Sequence, residues 1–103
     1  MSRQVAVAMV HVKAKAGVKD EAIIAAAQEV QDAFLRSQPG YLSRELLKVQ
    51  EDGTWIDVVH FQTMEEAQRS LHAMMSEPSV QKMQGLTDPA TFRLFQAALV
   101  KKL

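Results

Sequence analysis

The sequence predicts one α+β domain: a four-stranded antiparallel sheet with two helices on one face. Three observations predict it. Apolar spacing switches between a period of two and a helical period, in the order β-α-β-β-α-β. Asp52-Gly53 falls between the second and third strand-like runs, as a tight hairpin requires. The other two connections, Ala16 to Gly40 and Thr63 to Ala90, are each long enough to hold a helix. The 103 residues suit a single domain spanning 1–103, and 48% hydrophobic residues suffice for a core.

The first element runs from about Arg3 to Lys15. Val5, Val7 and Met9 alternate with Ala6, Ala8 and Val10, so both faces are apolar and the strand is covered on both sides. Gly17 breaks the run. From Val18 to Ser37 the period changes: Ile23, Ala26, Ala27, Val30 and Phe34 share one helical face. Asp20 and Glu21 suit its positive end and Arg36 its negative end, and Pro39-Gly40 stops it. Tyr41 to Gln50 and Thr54 to Gln62 read as strands. Thr63 and Glu66 then form a capping box ahead of the helical stripe Met64, Ala67, Leu71, Met74 and Met75. Pro78 opens a further short helical turn with Val80 and Met83, ended by Gly85. Asp88-Pro89 marks a loop, and Thr91 to Val100 is the last strand. Right-handed crossovers make this order a ferredoxin-like fold with both helices on one face.

Composition narrows the function classes. Twelve basic and twelve acidic residues give no net charge, which argues against a nucleic-acid binder. There is no cysteine, hence no disulfide, thiolate nucleophile or zinc finger. No apolar run approaches the roughly 20 residues of a membrane span, and the N-terminus lacks a signal-peptide pattern. A cytoplasmic location is expected. Neither a Gly-rich phosphate loop nor a Gly-x-Ser-x-Gly turn occurs, and the three His show no metal-ligand spacing, so no cofactor and no metal are expected.

Helices cover only one sheet face, yet each strand has apolar residues on both sides: Val7 and Val10, Leu46 and Leu47, Val58 and Val59, Leu94 and Phe95. Monomers rarely expose so large an apolar patch. The expected solution is a homodimer in which two sheets face each other.

The segments Pro39-Gly40-Tyr41-Leu42, Val58 to Ala67 and Ser76-Glu77-Pro78-Ser79-Val80, in this order and spacing, resemble the antibiotic biosynthesis monooxygenase (ABM) family of dimeric α+β barrels. The resemblance covers nearly the whole chain. It implies a dimeric barrel and a hydrophobic aromatic ligand; the superfamily includes cofactor-independent oxygenases of phenols and quinols, haem-degrading proteins and isomerases. Val59-His60-Phe61 stands where members often show Glu-x-Trp. The chain has no Asn, its one Trp is Trp55 on a strand, and no His follows the second helix, so haem degradation is not expected.

A two-residue loop at Asp52-Gly53 would pair Glu51 with Thr54, and hence Glu45 with His60 and Lys48 with Asp57. One hairpin face then carries Tyr41, Ser43, Glu45, Leu47 and Val49 with Ile56, Val58 and His60. The other carries Leu42, Arg44, Leu46 and Lys48 with Trp55, Asp57, Val59 and Phe61. Glu45–His60 is the sharpest catalytic candidate: a carboxylate fixes the imidazole tautomer and raises its basicity for taking a phenol proton. The plainer alternative is a cross-strand polar pair. Tyr41, His11, Trp55 and His72 are candidate substrate contacts, against plainer roles such as a strand end for His11, a dimer contact for Trp55 and a helix flank for His72. Lys48–Asp57 reads as a solvated ion pair. The leading function is a dimeric ABM-like protein that binds an aromatic molecule and oxygenates it without a cofactor. The alternatives are a non-catalytic ligand-binding or stress-related dimer, and an isomerase or lyase.

Overall fold

A computed structural model describes residues 4–103; the expected strand start at Arg3 and the rest of the N-terminal tripeptide lie outside the described residues. The strands are β1 (Ala6–Ala14), β2 (Tyr41–Lys48), β3 (Trp55–Phe61) and β4 (Thr87–Ala98). They form one antiparallel sheet in the order β2-β3-β1-β4. The helices are α1 (Asp20–Ala33), α2 (Met64–Met74) and α3 (Pro78–Gln84). This is the expected ferredoxin-like α+β fold, with the short helical turn after α2 grown into a third helix packed on α1. No helix among the described residues is long and apolar enough to cross a membrane.

Helices α2 and α3 begin where local chemistry supplies a side-chain cap, whereas α1 starts after Lys19 without one. Thr63 Oγ1 accepts the Glu66 amide at 3.2 Å, the forward half of the capping box. The Glu66 carboxylate turns back and takes the Thr63 hydroxyl at 3.0 Å. At α3, Pro78 opens the helix and Glu77 accepts from the Ser79 amide at 3.1 Å. Helix α1 buries Ile23, Ala26, Ala27 and Val30, the stripe read from the sequence. It ends at Ala33, short of Ser37; Phe34 leaves helical geometry at φ −139° and Leu35–Ser37 form a 3₁₀ turn.

The start of β4 differs from expectation. Strand β4 starts at Thr87 rather than Thr91, so Asp88-Pro89 lies inside it instead of in a loop. The ladder with β1 absorbs the extra residues in an irregularity between His11 and Lys13. There Thr91 Oγ1 takes the Lys13 amide at 2.9 Å and donates to Asp88 O at 2.7 Å.

The β2–β3 hairpin corrects the expected register. Val49 N donates to Thr54 O at 2.8 Å and Gly53 N to Val49 O at 2.9 Å, closing a loop over residues 50–53. A type I′ turn needs positive φ at both central residues. Only Gly53 has it, at 75°, so Asp52 keeps an ordinary backbone. Asp52 Oδ1 instead accepts the Thr54 amide at 2.9 Å, which lowers its carboxyl pKa. The longer loop slips the strands by two residues: Glu45 faces Val58, Ser43 faces His60 and Lys48 faces Trp55. The expected Glu45–His60 and Lys48–Asp57 pairings are therefore not formed. A two-residue slip preserves which side chains share a face, so the face assignment stands for Ser43 through Lys48 and Trp55 through Phe61. Tyr41 is the exception. A bulge between Tyr41 and Ser43 puts Tyr41 opposite Phe61, packed against the core under the helices.

The helices cover the face of Ala6, Val12, Trp55, Val59 and Phe61, all buried. They lie in two clusters, one with Val30, Phe34, Leu35, Ala67 and Val80, the other with Ile23. The opposite face carries Val7, Met9, Leu47, Ile56, Val58 and Phe95 and has no helix over it; Leu47 is 48% and Phe95 52% exposed.

Gly40 joins the first helical crossover to β2. It has φ 81°, and a Cβ there would overlap the Glu66 carboxylate. Gly53 has positive φ but open space around it. Gly53→Ala should therefore cost about 1–2 kcal/mol for conformation alone. Gly40→Ala should cost about 2–4 kcal/mol, since the overlap adds to the backbone term. Urea unfolding of both variants checks the difference; equal losses would show that Glu66 moves aside freely.

Candidate active site

Small side chains on the covered face leave room beneath the helices. A cavity of about 430 Å³ lies between the sheet and the helices. Its apolar walls include Ala8, Val10, Leu46, Trp55, Leu71 and Met74. Its polar lining residues are Arg44, Asp57, Ser70, Gln84, Thr87 and Gln96. A largely apolar chamber with a few polar groups is the usual form of a small-molecule site.

Arg44 and Asp57 form the charged end of this chamber. Arg44 Nε donates to Asp57 Oδ1 at 2.8 Å and Nη2 to Oδ2 at 2.6 Å, a bidentate pair. Arg44 Nη1 donates to Ala27 O on α1 at 2.7 Å. The two side chains are only 8% and 17% exposed, so the charges are largely withdrawn from water and depend on each other. Three of the five guanidinium donors are used, and each Asp57 oxygen keeps a free acceptor position. Arg44 also borders a second hollow of about 360 Å³ against α1, lined by Gln31 and Tyr41 among others.

The sequence places Arg44 and Asp57 on one hairpin face without joining them. Their signal was two opposite charges among Leu46, Trp55, Val59 and Phe61. Lys48, expected to hold Asp57, instead bonds Asp20 at 2.9 Å and lies over the Trp55 ring, 5.4 Å from its centroid.

The six residues singled out from sequence separate. His60 and Glu45 lie on the open sheet face, away from the cavity, as diagonal neighbours with no hydrogen bond between them. His60 Nδ1 is buried without a partner. His11 is on the same open face, edge-on to Phe95 at 5.5 Å between ring centres. His72 is exposed on α2 and does not line the cavity. Tyr41 accepts from Gln31 Nε2 at 2.9 Å and borders only the second hollow. Trp55 does line the main cavity. It is 6% exposed, in the core under the helices rather than at a hairpin-tip contact.

The fold and cavity can be set beside known proteins. The family model described as antibiotic biosynthesis monooxygenase matches residues 5–95. SnoaB, a cofactor-independent oxygenase from Streptomyces nogalater, superposes with a TM-score of 0.75 at 13% identity, covering 97% of each chain. A monooxygenase from the ActVA-Orf6 gene of Streptomyces coelicolor, solved with the ligand nanaomycin D, gives 0.77 at 12% identity, over 98% of this chain and 92% of that one. Protein SO0527 from Shewanella oneidensis gives 0.68 at 21% identity, over 95% and 93%. At these identities the likeness is one of fold. No curated protein sequence matches. With the family model spanning nearly all of β1 through β4, the chain belongs to the antibiotic biosynthesis monooxygenase family.

Proposed function

We propose that this protein takes a hydrophobic aromatic molecule of the phenol or quinol type into the cavity under its helices and oxygenates it without a cofactor. The observation that carries this reading is the chamber itself: about 430 Å³, largely apolar, with a half-buried carboxylate in its wall. The oxygenase relatives of the same fold support it. On this reading the proton acceptor is Asp57, which lines the cavity, rather than His60, which does not.

Oxygenation of such a substrate begins with loss of a proton. The electron-rich anion reduces dioxygen, a carbon–oxygen bond forms, and the hydroperoxide loses water to leave a carbonyl. For a ring methylene the balance is one dioxygen consumed, one carbonyl oxygen gained and one water released. Asp57 is the carboxylate that lines the cavity, and it accepts the substrate hydroxyl through a position that Arg44 leaves free. Arg44 fixes the carboxylate's orientation and faces the anion as it forms. The apolar walls exclude water from the anion and the hydroperoxide.

The open face has its own role in this reading. A second copy covers Val7, Met9, Leu47, Ile56, Val58 and Phe95, bringing two sheets face to face. His60 and His11 then lie in the contact between subunits.

Two measurements check these assignments. Oxygen uptake with an anthrone or naphthoquinol should fall at least about a hundredfold in Asp57→Asn and persist in His60→Ala; the reverse pattern would return the chemistry to the open face. Native mass spectrometry should show a dimer, and Phe95→Glu should shift it to monomer by placing a charge in the apolar contact. A wild-type monomer at micromolar concentration would remove the second copy from this reading.

A further inference from the structure

Two side chains of the cavity wall carry hydrogen-bonding groups that the protein does not satisfy. Ser70 is 3% exposed in the middle of α2, and its Oγ has no partner. A helical serine can bond the carbonyl one turn back, but this one makes no such bond. Gln96 Nε2, on β4 beside Ala8 of β1, is likewise buried and unpartnered. Helix α2 packs against β4, and both residues line the main cavity. Buried polar groups are normally paired, so two idle donors in one chamber wall call for a partner from outside the chain.

The charge of the chamber limits what that partner is. Among the described residues lining the cavity, only Arg44 and Asp57 are of charged type, and they are paired with each other. Ser70 and Gln96 supply neutral donors. An anion entering this wall would lose its hydration without meeting a free cation, whereas a carbonyl oxygen gains two donors.

We propose that Ser70 and Gln96 are a neutral donor pair that holds a carbonyl oxygen of an uncharged, planar ligand. The opposite, hydroxyl-bearing end of the ligand then points to Arg44 and Asp57. This inference rests on the cavity being the ligand site, and it adds the ligand's charge state and direction.

Trp55, the only tryptophan, lines the cavity and reports its occupancy through a single indole N–H resonance. The probes are 2-methyl-1,4-naphthoquinone, 2-methylnaphthalene and 2-naphthoate, titrated by NMR into wild type, Ser70→Ala, Gln96→Met and the double variant, each with its fold verified by the amide spectrum. The quinone should move the Trp55 resonance and bind more tightly than the hydrocarbon or the anion. Each single variant should weaken the quinone by about three- to tenfold and leave the hydrocarbon unchanged. If quinone and hydrocarbon both bind and the variants leave the quinone unaffected, the donor pair is overturned while the cavity reading survives. Tighter binding of naphthoate than of the quinone overturns the neutral-ligand assignment. If none of the probes moves Trp55, the cavity reading falls and the donor pair with it. Should one single variant fail to fold, the other carries the same comparison.

Discussion

The placement of α1 over the sheet depends on one buried guanidinium. Arg44 reaches from β2 to Asp57 on β3 and to the Ala27 carbonyl on α1, three hydrogen bonds that fasten two strands and a helix. A charge this far from water persists only when paired, so the helix cannot drift without uncovering both partners. The same contact closes one end of the chamber. Structural need and the lining of the chamber therefore meet in one side chain, and Arg44 fixes the orientation of the Asp57 carboxylate.

The chamber itself comes from underfilling. Protein interiors pack about as densely as organic crystals, and a void of this size forgoes many contacts. Here the covered face uses Ala6 and Ala8 on β1, while Ala26, Ala27 and Ala67 bring the helices down. The two core clusters pack at either end instead of merging into one. Met74 and Met83 border the space, and their flexible thioethers can repack around it at little cost.

Much of this was legible from residues alone. The Ile23–Val30 stripe, the Thr63–Glu66 box and Pro78 each encode a helix locally, and alternation along β2 and β3 sorted side chains by face. Partner identity across the hairpin was not legible. It turned on whether Asp52 takes positive φ, and the competing bond from the Thr54 amide decided against that. The pairing of Glu45 with His60 is lost for the same reason. His60 is singled out in the sequence by the Glu45 that the two-residue turn would set beside it, and alternation cannot say which face the helices leave hollow. The Arg44–Asp57 pair is hidden because the long Arg44 side chain reaches Asp57 diagonally, between positions that do not face each other.

The irregular start of β4 bears on how two such molecules can meet. A strand at the rim of a sheet offers unpaired amides and carbonyls to any passing chain. Strand β4 is at the rim, but Pro89 has no amide to offer, the Ala90 amide is taken by Asp88 Oδ1 at 3.0 Å, and the Asp88 carbonyl is taken by the Thr91 hydroxyl. Three positions along this stretch are thus withdrawn from pairing. Lateral pairing with another strand is hindered along these residues, so the start of β4 resists growth of the sheet into a continuous ribbon.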